Sequence, residues 1–156
     1  MNNFFKKIFK HKKKITSKEK SFLRISEKTK VNKIFKAISE HDDLSEVRYV
    51  GGCVRKILNN EEFDDIDLAT NINPELVKKY LKKNNINFFE TGLIHGTITA
   101  NIDKKNFEIT SLRKDLSTDG RHAVVKFTDN WIEDSNRRDF TFNAIYSDKE
   151  GNLFDP

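Results

Sequence analysis

Apolar positions along this chain follow two periods, and their succession predicts one mixed domain. Val31, Ile34, Phe35 and Ile38 stand at i, i+3, i+4 and i+7, a single helical face, so a helix is expected over 31–41. Residues 46–50 read as a short strand, Gly51-Gly52 as its tight exit, and 53–59 as a helix with Val54, Ile57 and Leu58 inward. A second strand is expected over 66–69. Asn73 then offers a cap ahead of Pro74, after which Leu76, Val77, Tyr80 and Leu81 return to helical spacing. Residues 93–102 and 107–112 predict a hairpin turning at 103–106. The polar stretch 113–130, with Gly120, predicts a long loop, followed by a helix over 131–139 and a last strand over 142–146.

Charge divides the chain. Through Lys33, eleven lysines and Arg24 face only Glu19 and Glu27, while the net charge of the whole is +5, so the remainder is acidic. Residues 1–30 are therefore expected to be a poorly ordered basic arm, and 31–156 one domain; Phe4, Phe5, Ile8 and Phe9 would allow a short amphipathic helix against RNA or an anionic surface. The hydrophobic share of 36%, with thirteen Phe, is enough for a folded core. Cys53 is the single cysteine, which excludes an internal disulfide and a cysteine-based zinc site and predicts a reducing, cytoplasmic setting. No apolar run reaches the roughly eighteen residues of a membrane span, so no membrane partner is expected.

Four places carry chemistry. In Asp64-Asp65-Ile66-Asp67-Leu68-Ala69, strand alternation predicts Asp65 and Asp67 on one face and Ile66 and Leu68 on the other. Two adjacent carboxylates repel unless a cation lies between them, and Mg²⁺ with substrate phosphates is the natural occupant. In Gly51-Gly52-Cys53-Val54-Arg55, the glycines permit close backbone approach, the next helix start offers N–H groups to a phosphate, and Arg55 adds a guanidinium. Glu108, between Phe107 and Ile109, faces away from the core and is a candidate third carboxylate. Arg137, Arg138, Asp139 and Asn143 crowd a helix-to-strand junction beside Phe140, Phe142, Ala144 and Ile145, whose burial is expected. His95 has no second ligand at metal spacing and receives no role.

Taken in order, GGCVR, DDIDLAT, TGLIHGTIT, FEITSLR, DGRHA and RRDFTFNAIY resemble the head domain of class II tRNA nucleotidyltransferases and of the related bacterial poly(A) polymerases, over residues 46–156. The resemblance implies an α/β head of the polymerase beta-like nucleotidyltransferase superfamily, with a mixed sheet flanked by helices. It implies two Mg²⁺ ions on Asp65 and Asp67, and a triphosphate held by Gly51, Gly52 and Arg55. Arg138 would contact the nucleotide, and Arg137, Asp139, Asn143 and Glu108 would contribute. The implied reaction is attack of a tRNA 3′-hydroxyl on the α-phosphorus of CTP or ATP, with pyrophosphate leaving and the metals activating nucleophile and leaving group. The segment from Thr110 and Arg113 to Asp119, Gly120, Arg121 and His122 resembles the family's mobile region; His122 is not needed as a base because metals can activate the hydroxyl.

Two departures from the family pattern stand out. Lys56 occupies the place where an Asp usually follows the GGxVR arginine, and the helical neck with its base-selecting motif, the body and the tail do not follow Pro156. A separate chain supplying neck and body is therefore an expected partner, beside the tRNA 3′ end, CTP and ATP. A poly(A) polymerase head and a non-catalytic RNA-binding remnant stay open as alternatives.

Overall fold

A computed structural model describes residues 16–118 and 123–156. Its centre is a seven-stranded sheet in the order β3-β4-β5-β2-β1-β8-β9, formed by β1 (Val47–Val50), β2 (Asp67–Thr70), β3 (Asn87–Gly92), β4 (Thr97–Ile102), β5 (Lys105–Ser111), β8 (Tyr146–Ser147) and β9 (Leu153–Phe154). Every neighbouring pair is antiparallel except β2 and β5, which run parallel. Helices α1 (Ser17–Thr29), α2 (Asn32–Ser39), α3 (Gly52–Leu58) and α4 (Pro74–Lys83) cover one face. The other face carries a smaller cluster of Val50, Ala69, Leu112 and Tyr146, against which Trp131 of α5 (Trp131–Asn136) packs. β6 (Arg113–Thr118) and β7 (Ala123–Phe127) form a separate two-stranded ribbon.

Alternation explains how the sheet serves both sides. Leu68, Phe107 and Ile109 point into the helical core, fully buried, which sends Asp67, Glu108 and Thr110 to the opposite face. Asn73 caps α4 through Leu76 N–H at 2.9 Å with Pro74 opening the helix, as its sequence predicts. Cys53 is buried behind β1, and burial pushes its thiol up to about 11. Among the described residues, no helix is long and apolar enough to cross a membrane.

The structure departs from the periodicity reading in several places. The expected poorly ordered arm is helical in its last part: Thr16 and Glu19 close a capping box, and α1 buries Phe22 against Tyr49, with rings 5.4 Å apart. The four apolar positions Phe4, Phe5, Ile8 and Phe9 and the rest of the arm lie outside the described residues. The expected loop over 113–130 is the β6–β7 ribbon; with Leu116 exposed, β6 lacks the apolar alternation that marks a half-buried strand. The expected helix over 131–139 stops at Asn136, because the Arg137 and Arg138 side chains fold back onto Asp134. The expected last strand over 142–146 is a 3₁₀ turn at Thr141–Asn143, and pairing resumes only at Tyr146. β3 was not foreseen; it is an edge strand with a register shift between Phe89 and Gly92.

Gly96 closes the turn before β4 at φ +79, and a Cβ there would stand 2.5 Å from Cε1 of Phe127. Gly96→Ala should therefore lower stability by about 1–2 kcal/mol, the usual cost of a left-handed L-residue, measurable by urea denaturation; an unchanged midpoint would contradict this packing.

Candidate active site

The exit of β1 sets the floor of a cleft of about 500 Å³ on the sheet face opposite α1 to α4. Gly51 adopts φ 68 and ψ −128, donates its N–H to the Ile145 carbonyl at 3.0 Å, and lies so close to the Asn143 carbonyl that a Cβ would be 3.4 Å from it. Any larger residue would be strained there on backbone grounds alone. A Cβ on Gly52 would meet nothing within 4 Å, so the first residue of α3 looks into open space on the cleft.

Asp67, the first residue of β2, pairs in parallel register with Glu108 of β5, and both line the cleft. Burial, then repulsion from Glu108 and Asp65, hold the Asp67 carboxyl above the usual carboxylate range, with Arg138 opposing. Asp65 lies ahead of the strand rather than within it, and is exposed. The expectation that it alternates with Asp67 along one strand is therefore corrected, although Asp65 remains close enough to act on Asp67 electrostatically.

The same cleft also carries cations. Arg113, Arg137 and Arg138 line it, and one fully buried carboxylate, Asp134, organises all three. Its Oδ1 accepts from Arg137 Nη2 at 2.7 Å and Nε at 2.9 Å and from the Arg113 backbone N–H at 3.2 Å. Its Oδ2 accepts from Arg138 Nη2 at 2.9 Å and Nε at 3.1 Å and from the Tyr146 hydroxyl at 2.7 Å. Burial alone would raise this carboxyl, but Arg138, Arg137 and Tyr146 together bring it below the usual range. Each guanidinium thus uses one edge on Asp134; Arg138 Nη1 then reaches the Asn143 carbonyl at 3.5 Å. Arg113 donates Nη1 to the His95 carbonyl and keeps Nε buried without a hydrogen-bond partner among the described residues.

Of the residues singled out from the sequence, Gly51, Gly52, Asp67, Glu108, Arg137, Arg138 and Asn143 meet at this cleft. Arg55 does not line it: its Nη1 approaches Asn143 Oδ1 at 3.4 Å and its guanidinium covers the Phe142 ring at 4.9 Å. Asp139 is exposed and also stands outside the lining. Phe140 and Phe142, expected to be buried, are 58% and 43% exposed and stack on each other at 5.0 Å. Asp119, Gly120, Arg121 and His122 lie outside the described residues. Asp134 was missed, yet its spacing of three and four from Arg137 and Arg138 is the helical ion-pair signature.

Among the described residues, no three of His, Cys, Asp and Glu converge as a metal-binding group. Two carboxylates remain in register, Asp67 and Glu108, with Asp65 nearby. That donor set fits a hard divalent ion such as Mg²⁺, which takes one or two carboxylates and completes its shell with water and substrate phosphates.

Comparison with known proteins gives a consistent picture. The family described as poly(A) polymerase head domain matches residues 47–156. The human mitochondrial CCA tRNA nucleotidyltransferase 1 is 46% identical over 111 residues, covering 70% of this chain and 26% of the relative. The CCA-adding enzyme of Lactobacillus johnsonii is 38% identical over 112 residues, covering 70% of this chain and 27% of its own length. The crystal structure of the Bacillus stearothermophilus CCA-adding enzyme in complex with CTP has a TM-score of 0.67 and 28% identity, covering 90% of this chain and 30% of that one. The chain thus spans about a quarter of the length of the curated relatives it matches.

Proposed function

Because this chain belongs to the poly(A) polymerase head-domain family, we propose that it is the catalytic head of a template-independent RNA nucleotidyltransferase that adds CMP and AMP from CTP and ATP to the 3′ end of tRNA. The observation that carries this reading is the convergence of Asp67 and Glu108 with Arg113, Arg137 and Arg138 on one cleft of about 500 Å³. A triphosphate needs both kinds of group, since its charge must be matched by cations and its transferring phosphorus must lie beside a metal-holding carboxylate.

In this reading Asp67, with Asp65 nearby, would hold two Mg²⁺ ions together with the substrate phosphates, and Glu108 would be the supporting carboxylate. When bound, the metal lowers the pKa of the attacking hydroxyl and neutralises charge on the leaving pyrophosphate. The chain's own residues do the remaining work. Arg137 and Arg138, fixed in direction by Asp134, present their outer guanidinium edges to the triphosphate without having to reorganise. Gly52 leaves room for phosphate oxygens to approach the backbone. Arg55 acts at one remove, by holding Asn143 and the Phe142 ring at the end of the cleft.

The test is transfer of label from radioactive CTP to tRNA lacking its terminal CCA. The chain is assayed alone and mixed with the C-terminal remainder of the Lactobacillus johnsonii relative as a separate chain. The expected result is Mg²⁺-dependent CMP incorporation with pyrophosphate release in the mixture. Absence of transfer in a mixture that demonstrably assembles would overturn the proposal.

A further inference from the structure

Helix α1 lies outside the stretch matched by the family, which begins at residue 47. Its apolar side is used by the core, where Phe22 and Ser26 are buried and Ile25 packs against them. The helix is also pinned from outside: Gly151, at φ +91, approaches so closely that a Cβ would be 3.0 Å from the Phe22 ring and 3.1 Å from the Glu19 backbone. On its other side Lys20, Arg24 and Lys28 follow one another at i, i+4 and i+8, all exposed. A rise of 1.5 Å per residue sets them about 6 Å apart along the helix axis. No side chain of these three pairs with a described residue. The carboxylates nearby are Glu19, engaged in the capping box, Glu27, exposed, and Glu61, which accepts from Asn59 at 2.8 Å.

The helix gains little from this stripe. Like charges four residues apart repel, and Lys20 near the helix start opposes the macrodipole, while Lys28 in the last turn favours it. The fold therefore presents, on a rigid helix, a row of exposed cations that an external polyanion can neutralise. Arg24 and Lys28 also line, with Ser21, Asn60 and the carboxylates Glu27 and Glu61, a groove of about 640 Å³ between α1 and the end of α3. α3 starts at Gly52 on the cleft and is seven residues long, so about 10 Å of helix joins groove and cleft.

We propose that Lys20, Arg24 and Lys28 form a track for the sugar-phosphate backbone of RNA, holding the substrate while its 3′ end occupies the cleft. The inference rests on the transferase reading only for which RNA is held. An anionic membrane is a poorer fit, because a helix lying in a bilayer surface needs a free apolar face and α1 has placed its own in the core, leaving Leu23 as its exposed large apolar residue.

The experiment measures binding of the full chain to tRNA and to poly(A) between about 50 and 200 mM salt. Wild type is compared with Lys20→Gln/Arg24→Gln/Lys28→Gln and with the charge-keeping Lys20→Arg/Lys28→Arg. Removing three phosphate contacts should flatten the slope of log affinity against log salt by roughly two on single-stranded RNA, while the arginine variant keeps the wild-type slope. Because all three side chains are exposed, the glutamine variant should melt close to wild type. An unchanged slope in the glutamine variant overturns the proposal, as does a loss confined to phosphatidylserine vesicles with RNA binding intact. Mg²⁺-dependent CTP uptake, read on the same proteins, should be equal in wild type and the glutamine variant. Its absence from wild type, with the RNA effect intact, would remove the transferase reading and leave this one standing.

Discussion

Asp67→Asn should cut nucleotide transfer by roughly 10³-fold while raising the thermal midpoint of the metal-free protein. Burial, with Glu108 and Asp65 beside it, holds the Asp67 carboxyl above its ordinary range, so the folded state keeps that proton to a higher pH than the unfolded chain does. Between those two values the fold binds more protons than the unfolded state, and stability falls as pH rises through the window, with the full penalty present above it. Asparagine removes the charge and keeps the shape, so the penalty disappears. The same change removes a metal-holding oxygen, and losing several kcal/mol of charge stabilisation corresponds to roughly a 10³-fold fall in rate. Parallel melting curves and CMP-incorporation rates check both halves. A variant that is both less stable and still active would show that Asp67 is a structural residue.

Asp134→Ala should have the largest effect on stability. The carboxylate is fully buried and accepts six hydrogen bonds, from Arg137, Arg138, Tyr146 and the Arg113 backbone. Removing one partner of a buried ion pair leaves the others uncompensated and costs about 3–5 kcal/mol. For a chain of this length that corresponds to a fall in melting temperature of roughly 10 °C. Activity should fall with it even below the melting transition, because Arg137 and Arg138 lose the group that orients them. The pH dependence has the opposite sign to that of Asp67. The Asp134 carboxyl titrates below its usual range, so its contribution is complete above the ordinary carboxylate value and is lost only as pH falls through the lower, folded one. Acid denaturation of wild type should therefore be steepest below the ordinary carboxylate range, and that steepness should be missing from Asp134→Ala.

These two aspartates also mark what could and could not be read from residue order. Asp67 and Glu108 were legible because each sits between apolar residues on a strand, and period-two alternation sends them to the same face. Their adjacency was not, since only the parallel pairing of β2 with β5 places them in register. Asp65 was drawn into the strand by the same alternation, whereas hydrogen bonding starts at Asp67. Asp134 carries a helical ion-pair spacing that a surface helix shows equally often; its full burial, with the Tyr146 hydroxyl bonded to it, is what makes it the hub of the site, and burial is a property of the tertiary fold. The β6–β7 ribbon escaped for a related reason, as a two-stranded ribbon away from the main core needs no apolar face. The lysines of α1 masked a helix whose core contact rests on Phe22 and Ile25. Phe140 and Phe142 were assigned to the core by hydrophobicity, but the 3₁₀ turn at Thr141–Asn143 leaves them exposed.

The central claim is that the Asp67 wall of the cleft holds divalent metal together with a nucleotide's phosphates. Mn²⁺, which shares the oxygen-ligand preference of Mg²⁺, reports this directly by paramagnetic resonance as free ion disappears on titration. Wild-type protein should take up Mn²⁺ far more readily with CTP present than without it, and Asp67→Asn should lose that CTP-dependent uptake. Equal uptake by the two proteins would contradict the account.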